Sequence, residues 1–412
     1  MSNNPRLELT QNRKKLYLTV FVMSVCMGTA LFALPLLLIK KFQASVFMVG
    51  FIGSLGALGY TLACLSTGRL SDGLGRKKII LSGIILFISG YIFLADVGNI
   101  ISIGILFIVG SIGMSLFWPP IQAWIAESID KNNLTKVLGN FNLSWSTGLM
   151  LGPLCGGFLF PINEKLPFYF ASLVGAVMFV LIFRIPETRG LDVLEKEIRP
   201  TEPVKGEQKK GFLFIAWTAN FSSLFIIVML RNLFPVLAVS LDIGPRVLGV
   251  LIFLIGFSQT VMFACLGRIR GWHYNINLLL FFQVLAGTGL AIGFFAGSNI
   301  LFGLSFILMG LSAGMVYFSS IFYSLDVDHG KGRNTGFHES IIGAGMLFGP
   351  LLGGILGREY GLRAPYLLGL GLLFCAILVQ IALYYKVVKK KDYKKGSYVV
   401  RHNCKTSGEM PE

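Results

Sequence analysis

Acidic side chains are scarce in this sequence: 20 Asp and Glu stand among 412 residues, and all charged residues together make up 14%. A soluble domain carries about a quarter, so a soluble enzyme and a charge-rich disordered chain are both excluded. Histidine is scarcer still, and His273, His329, His338 and His402 show no H-E-x-x-H spacing. The cysteines form no paired C-x-x-C: Cys26, Cys64, Cys155, Cys265 and Cys375 lie inside apolar runs, and Cys404 lies near the C-terminus. No metal site, disulfide framework or cofactor is therefore expected. No nucleophile stands near a base in the sequence, so an enzyme is not expected either.

What fills the chain instead is apolar: 54% of residues are hydrophobic, with 35 Phe and 49 Gly, and the mean hydropathy is +0.72. A helix needs about 20 mostly apolar residues to cross the hydrocarbon core. Charge-free runs cover 16–39, 42–68, 79–95, 97–126, 137–163, 166–183, 211–230, 247–267, 271–325, 340–357 and 364–385. The run 271–325 is too long for one crossing and breaks at Gly297, Ser298 and Asn299, which gives twelve spans. Isolated strands cannot satisfy their backbone in lipid, and no alternation of barrel type is present, so all twelve are expected as transmembrane helices of an all-α membrane protein.

The net charge of +16 could suggest nucleic acid, but the cations lie between apolar runs rather than on one basic face. Lys and Arg crowd alternate connections, including Lys14, Lys15, Arg69, Arg76, Lys77, Lys78, 184–210 and 386–405. The other connections hold only Lys40, Lys41, Lys165, Arg246, Arg358 and Arg363. The positive-inside rule then places both termini in the cytoplasm of a multi-pass protein of the cell membrane. The first run is too long for a signal peptide and lacks a small-x-small cleavage site, so it should remain in the mature chain. The segment 184–210, with Pro186, Pro200 and Pro203 among many charges, reads as a linker dividing six spans from six. The expected organisation is an N-terminal segment 1–15, a bundle 16–185, a linker 186–211, a second bundle 212–385, and a basic tail 386–412 near anionic lipid headgroups. A monomer is expected.

The two bundles share a repeat. Gly148, Gly152, Pro153, Gly156 and Gly157 in span five recur as Gly345, Gly349, Pro350, Gly353 and Gly354 in span eleven, at a constant offset of 197. Gly139 and Gly336 obey the same offset, and Pro35 in span one answers Pro235 in span seven. The chain therefore reads as a duplicated, pseudo-symmetric pair of six-helix bundles. Pro153 and Pro350 each remove one helical hydrogen bond, so each helix can bend there, and the glycines let neighbouring helices approach closely.

The segment Gly68-Arg69-Leu70-Ser71-Asp72-Gly73-Leu74-Gly75-Arg76-Lys77-Lys78 resembles the cytoplasmic loop signature of the major facilitator superfamily, and the two G-P-x-x-G-G copies resemble its antiporter signature. The resemblance spans the whole chain and implies transport by alternating access. It implies a cytoplasmic gate in which Gly68, Asp72, Gly75 and Arg76 work with Glu127 and Asp130 and with the N-terminal end of span eleven. The matching loop of the second half, Gly267-Arg268-Ile269-Arg270-Gly271, lacks the aspartate. Where proton-coupled drug exporters carry an arginine in span four this chain has Leu106, and span one has no acidic residue.

Polar residues inside spans mark a solute path, since they are costly in lipid. The candidates are Trp118 and Gln122 in span four; Asn142 and Trp145 in span five; Asn220, Arg231 and Asn232 in span seven; Gln259 in span eight; and Tyr317, Ser320 and Ser324 in span ten. The resemblance makes spans one, four, seven and ten the cavity walls. Arg231 either faces that cavity, favouring a solute with a carboxylate, phosphate or carbonyl, or snorkels to the outer headgroups. Glu339, beside His338 near the start of span eleven, is the carboxylate placed to carry a coupling proton; the alternative is a hydrated residue pairing with Arg333. The reading is a secondary active transporter that exports a small metabolite or drug-like solute, with H+ as a coupling partner. Sugar or organic-acid uptake is the second transport reading, and a non-transporting sensor or scaffold with the same fold is the reading from another class.

Overall fold

A computed structural model describes residues 5–127, 134–186, 206–269, 271–326 and 331–389. Asp130, most of the linker and the tail beyond residue 389 fall outside them. Twelve α-helices follow one another: α1 (Pro5–Phe42), α2 (Val46–Leu74), α3 (Arg76–Leu94), α4 (Ile100–Glu127), α5 (Leu134–Leu159), α6 (Leu166–Phe183), α7 (Gly206–Ser240), α8 (Pro245–Leu266), α9 (Ile276–Phe295), α10 (Asn299–Asp326), α11 (Lys331–Tyr360) and α12 (Ala364–Leu383). A π-helical turn, Tyr384–Lys389, ends the described chain. Among the described residues, 11 helices are long and apolar enough to cross a membrane. The exception is α5, whose Asn140, Asn142, Ser144, Ser146 and Thr147 dilute its hydropathy.

Most helices outrun their charge-free windows. Helix α7 runs on through Arg231 and Pro235 to Ser240, and α11 starts nine residues before its charge-free run opens at Ser340. A window without charges measures the hydrocarbon core, whereas the helix itself continues until a cap or a proline stops it. Ser45 caps α2 by accepting from the Met48 amide at 3.3 Å, and Asn275 caps α9 by accepting from the Leu278 amide at 3.2 Å. Pro167, Pro245 and Pro365 stand in the first turns of α6, α8 and α12, where a missing N–H costs nothing.

Helix pairing repeats between halves. In the first half α1 packs on α5 and α6, and α4 on α2 and α3; in the second α7 packs on α11 and α12, and α10 on α8 and α9. Each pair is the other shifted by six helices. The duplicated glycine motif explains how. Gly148, Gly152 and Gly156 face α1, where a Cβ on Gly152 would sit 2.5 Å from Gly28. Gly345 and Gly349 meet Phe225, and Gly353 meets Met229, in α7. The last glycine of each copy looks the other way, across the interface between halves: Gly157 faces Gly249 of α8, and Gly354 faces Phe47 of α2.

Polar ties reinforce the apolar packing. Gln283 of α9 and Gln380 of α12 are buried and exchange two amide hydrogen bonds, at 2.8 and 2.9 Å. At one end of the first half, Lys41 donates to the carbonyls of Ala95 and Val97, and Asp96 accepts from Lys165 at 2.6 Å and from the Tyr169 hydroxyl at 2.7 Å. These bonds, that from Lys165 first, hold the exposed Asp96 carboxyl below its ordinary pKa. At the opposite end of the second half, the buried Lys209 ammonium lies 3.1 Å from the Asp326 carboxylate, which also accepts from the Tyr274 hydroxyl.

Candidate functional site

A cavity of about 250 Å³ lies between the halves, with walls from α1, α2, α4, α5, α7, α8, α10 and α11 and a single residue, Tyr91, from α3. Its lining is mainly apolar and aromatic, and among the described residues Arg231 and Glu339 are the only Lys, Arg, Asp or Glu that line it. The helix contacts between halves concentrate in α2 against α11 and α5 against α8. They close the end of the cavity near the connections 43–45, 160–165, 241–244 and 361–363. There a Cβ on Gly50 would lie 2.2 Å from the Pro350 carbonyl oxygen, and one on Gly249 would lie 2.6 Å from that of Pro153. Ser54 adds a 2.8 Å hydrogen bond to the Leu347 carbonyl across the same seam. At the other end, among the described residues, a Cβ on Gly68, Gly73, Gly139 or Gly336 would meet nothing within 4 Å. The closest backbone approaches between the halves therefore lie at the end away from the Asp72 loop.

Most of the polar residues expected on a solute path do line the cavity. Trp118, Gln122, Trp145, Asn220, Arg231, Asn232, Gln259, Tyr317 and Glu339 all do so. Trp145 and Tyr317 stack across the interface, with ring centroids 5.8 Å apart and planes at 22°. Asn220 is fully buried, and neither end of its amide has a hydrogen-bond partner. Asn232 donates to the Val228 carbonyl at 2.9 Å. Arg231 lines the cavity and makes no ion pair among the described residues; its Nε is buried without a partner.

Asn142, Ser320 and Ser324 are buried but do not line the cavity. Ser320 and Ser324 share the face of α10 that packs on α7 and α11. Ser320 hydrogen-bonds His338 Nδ1 at 2.8 Å, and Ser324 accepts from the Trp217 indole at 3.1 Å. Helical spacing from Tyr317 set these serines on nearly the same side, but the cavity takes only a narrow strip of it. Glu339 is open to the cavity, which Tyr60 and Tyr317 also line. The side chain of Arg333, its alternative partner, lies outside the described residues.

In the loop signature, Arg76 binds the Asp72 carboxylate and the Ser71 hydroxyl, each at 2.5 Å, and Gly75 turns the chain at φ 95°. The side chain of Glu127 and the whole of Asp130 lie outside the described residues. Sequence reasoning missed the part played by α2: Gly53, Gly56, Ala57 and Tyr60 form a lining strip. Their i, i+3, i+4, i+7 spacing was a readable signal, because three small residues on one face with a lone tyrosine mark a side that cannot be facing lipid alone.

Comparisons with known proteins agree with this geometry. The family model for the Major Facilitator Superfamily matches residues 16–337. The chain is 27% identical over 329 residues to Multidrug resistance protein 1 of Bacillus subtilis (strain 168), covering 73% of this chain and 80% of that protein. It is 23% identical over 381 residues to Quinolone resistance protein NorA of Staphylococcus aureus (strain MRSA252), covering 88% and 94%. Among solved structures, the nucleoside transporter NupG superposes with a TM-score of 0.69 at 12% identity, over 90% of this chain and 99% of that one. The human organic anion transporter MFSD10 superposes with 0.66 at 18% identity, over 92% and 100%.

Proposed function

Since this chain belongs to the Major Facilitator Superfamily and is a secondary transporter rather than an enzyme, we propose that it exports amphipathic, drug-sized organic molecules from the cytoplasm in exchange for protons. The observation that carries the reading is the cavity itself. It is mainly apolar and aromatic with a few polar anchors, and it lies between two halves whose closest backbone approaches are at one end. The names of the relatives, which speak of resistance to multiple drugs and to quinolones, support export of foreign compounds.

The crowding of Lys and Arg supports placing the Asp72 loop in the cytoplasm, so the conformation here opens inward to receive solute. The Asp72–Arg76 pair then belongs to a gate that re-forms when the cytoplasmic end shuts. Glu339 supplies a carboxyl within the cavity, able to take a proton while the cavity faces outward and to release it to the cytoplasm afterwards. The test is accumulation of amphipathic fluorescent compounds of positive, zero and negative charge in everted vesicles under an imposed pH gradient. The reading predicts gradient-driven accumulation by the wild type and none by Glu339→Gln. If no compound responds to the gradient in the wild type, proton-driven export is wrong; if Glu339→Gln responds as the wild type does, coupling lies elsewhere.

A further inference from the structure

Arg231 poses a question that a general drug-export reading leaves open. It sits in the closed half of the cavity, one residue before Asn232, whose amide packs on Gly53 of α2. The other charge of the cavity, Glu339, comes from α11. Arg231 and Glu339 make no ion pair with each other, and among the described residues no other carboxylate lines the cavity. A guanidinium that opens on a mainly apolar cavity, with its Nε buried and unpartnered, is a cost that a protein interior ordinarily offsets with a paired charge. Nothing within the described chain supplies one.

The surroundings narrow the class of anion. The cavity that Arg231 lines is mainly apolar and aromatic, which suits an anion of single charge with an apolar body better than a heavily hydrated, multiply charged ion. A second unmet polar group lies on the same helix face: Asn220, eleven residues earlier, is three helical turns and about 20° away, or about 16 Å between α-carbons. Both ends of its amide lack partners.

We infer that the closed half of the cavity recognises the single carboxylate of an aromatic or apolar organic acid, held by the Arg231 guanidinium, with the body of the molecule running along α7 towards Asn220. The inference rests on the export reading and names the substrate class of the same cavity. A planar guanidinium offers a carboxylate two parallel N–H donors, which neither an amide ligand nor a lysine can match.

The experiment is equilibrium binding of tritiated 2-naphthylacetate to the full chain in nanodiscs, alongside its primary amide and 2-naphthylethylamine as competitors. The carboxylate should bind ten- to a hundred-fold more tightly than the amide, the range a charge-assisted hydrogen bond spans. Arg231→Gln should abolish that preference, and Arg231→Lys should restore only part of it. Equal binding of acid and amide to the wild type, tightest binding of the amine, or no saturable binding of the acid would each overturn the inference. The vesicle assay reads separately: if neutral or cationic compounds are exported while the acid shows no preference, export stands and anion recognition falls. Because the comparison among ligands is made on the wild type, it holds even if an Arg231 variant fails to fold.

Discussion

Gly50→Ala should push the transporter out of the conformation seen here, closed at the α2–α11 end, which is the inward-facing one on the proposed orientation. The added methyl would lie 2.2 Å from the Pro350 oxygen, 3.1 Å from its carbonyl carbon and 3.2 Å from the Gly354 Cα. All three are backbone atoms, so no side chain can swing aside, and α2 must retreat from α11 by about 1 Å to regain normal contact. Overpacking of this kind costs about 1–3 kcal/mol, and the nearby Ser54 bond to Leu347 is placed at risk for about 1 kcal/mol more. The penalty falls only on the state in which this end is closed. It therefore shifts the balance towards the outward-facing state by roughly 5- to 150-fold for the first term alone. The assay is labelling of Leu31→Cys, a cavity position, by a membrane-impermeant maleimide added from outside, in a background whose native cysteines are replaced by serine. Labelling should be slow with Gly50 present and several-fold faster with Gly50→Ala. Gly371→Ala, where a Cβ meets nothing within 4 Å, is the matched control and should change nothing. Unchanged labelling in a folded Gly50→Ala protein would refute the claim that this contact seals the outer end.

Lys209→Met should lower thermal stability in detergent by the equivalent of about 2–4 kcal/mol, since removing one partner of a largely buried pair strands the Asp326 carboxylate; adding Asp326→Asn should recover part of the loss, and purely additive effects would show the pair to be uncoupled. Asp96 has a pKa lowered by folding, so its contribution is present above the unfolded carboxylate value and disappears as pH falls through the folded one. The melting-temperature gap between wild type and Asp96→Asn should therefore be seen at neutral pH and close in acid, and a gap independent of pH would contradict that assignment. Asp72→Asn, which strips the charge that Arg76 holds, should slow transport while expression and melting temperature stay near wild type; wild-type transport rates would remove the loop from the gating cycle.

The architecture was largely legible because lipid leaves so few options. Twelve spans followed from charge-free windows, and the duplicated Gly-Pro motif showed where the chain repeats itself. The same motif concealed a division of labour: Gly152 and Gly157 look alike in sequence, yet one packs on α1 within its half and the other on α8 across the interface. A difference of five residues on a 3.6-residue helix turns the side chain to another neighbour, but the sequence does not say which neighbour waits there. The cavity was legible where polarity was anomalous, as at Arg231, Asn220 and Glu339. It was not legible at Tyr60, Met27 or Phe107, which line it with side chains as common in a packed core. Ser320 and Ser324 show the opposite failure, since polar groups in a membrane helix are equally well absorbed by a neighbouring helix.

The paired amides of Gln283 and Gln380 carry a consequence for biogenesis. Helix α9 is synthesised and presented to the bilayer while α12, 97 residues downstream at the paired positions, has not yet left the ribosome. Until it arrives, the Gln283 amide must borrow water, a headgroup or the insertion machinery for its hydrogen bonds, because hydrocarbon offers none. The reciprocal pair, worth on the order of 0.6–1.7 kcal/mol by comparison with other helix contacts in membranes, closes only when the last helix docks. Lateral release of α9 into lipid is thus tied to completion of the chain, and a protein truncated before α12 would retain a polar mark by which a membrane protease could tell it from a finished one.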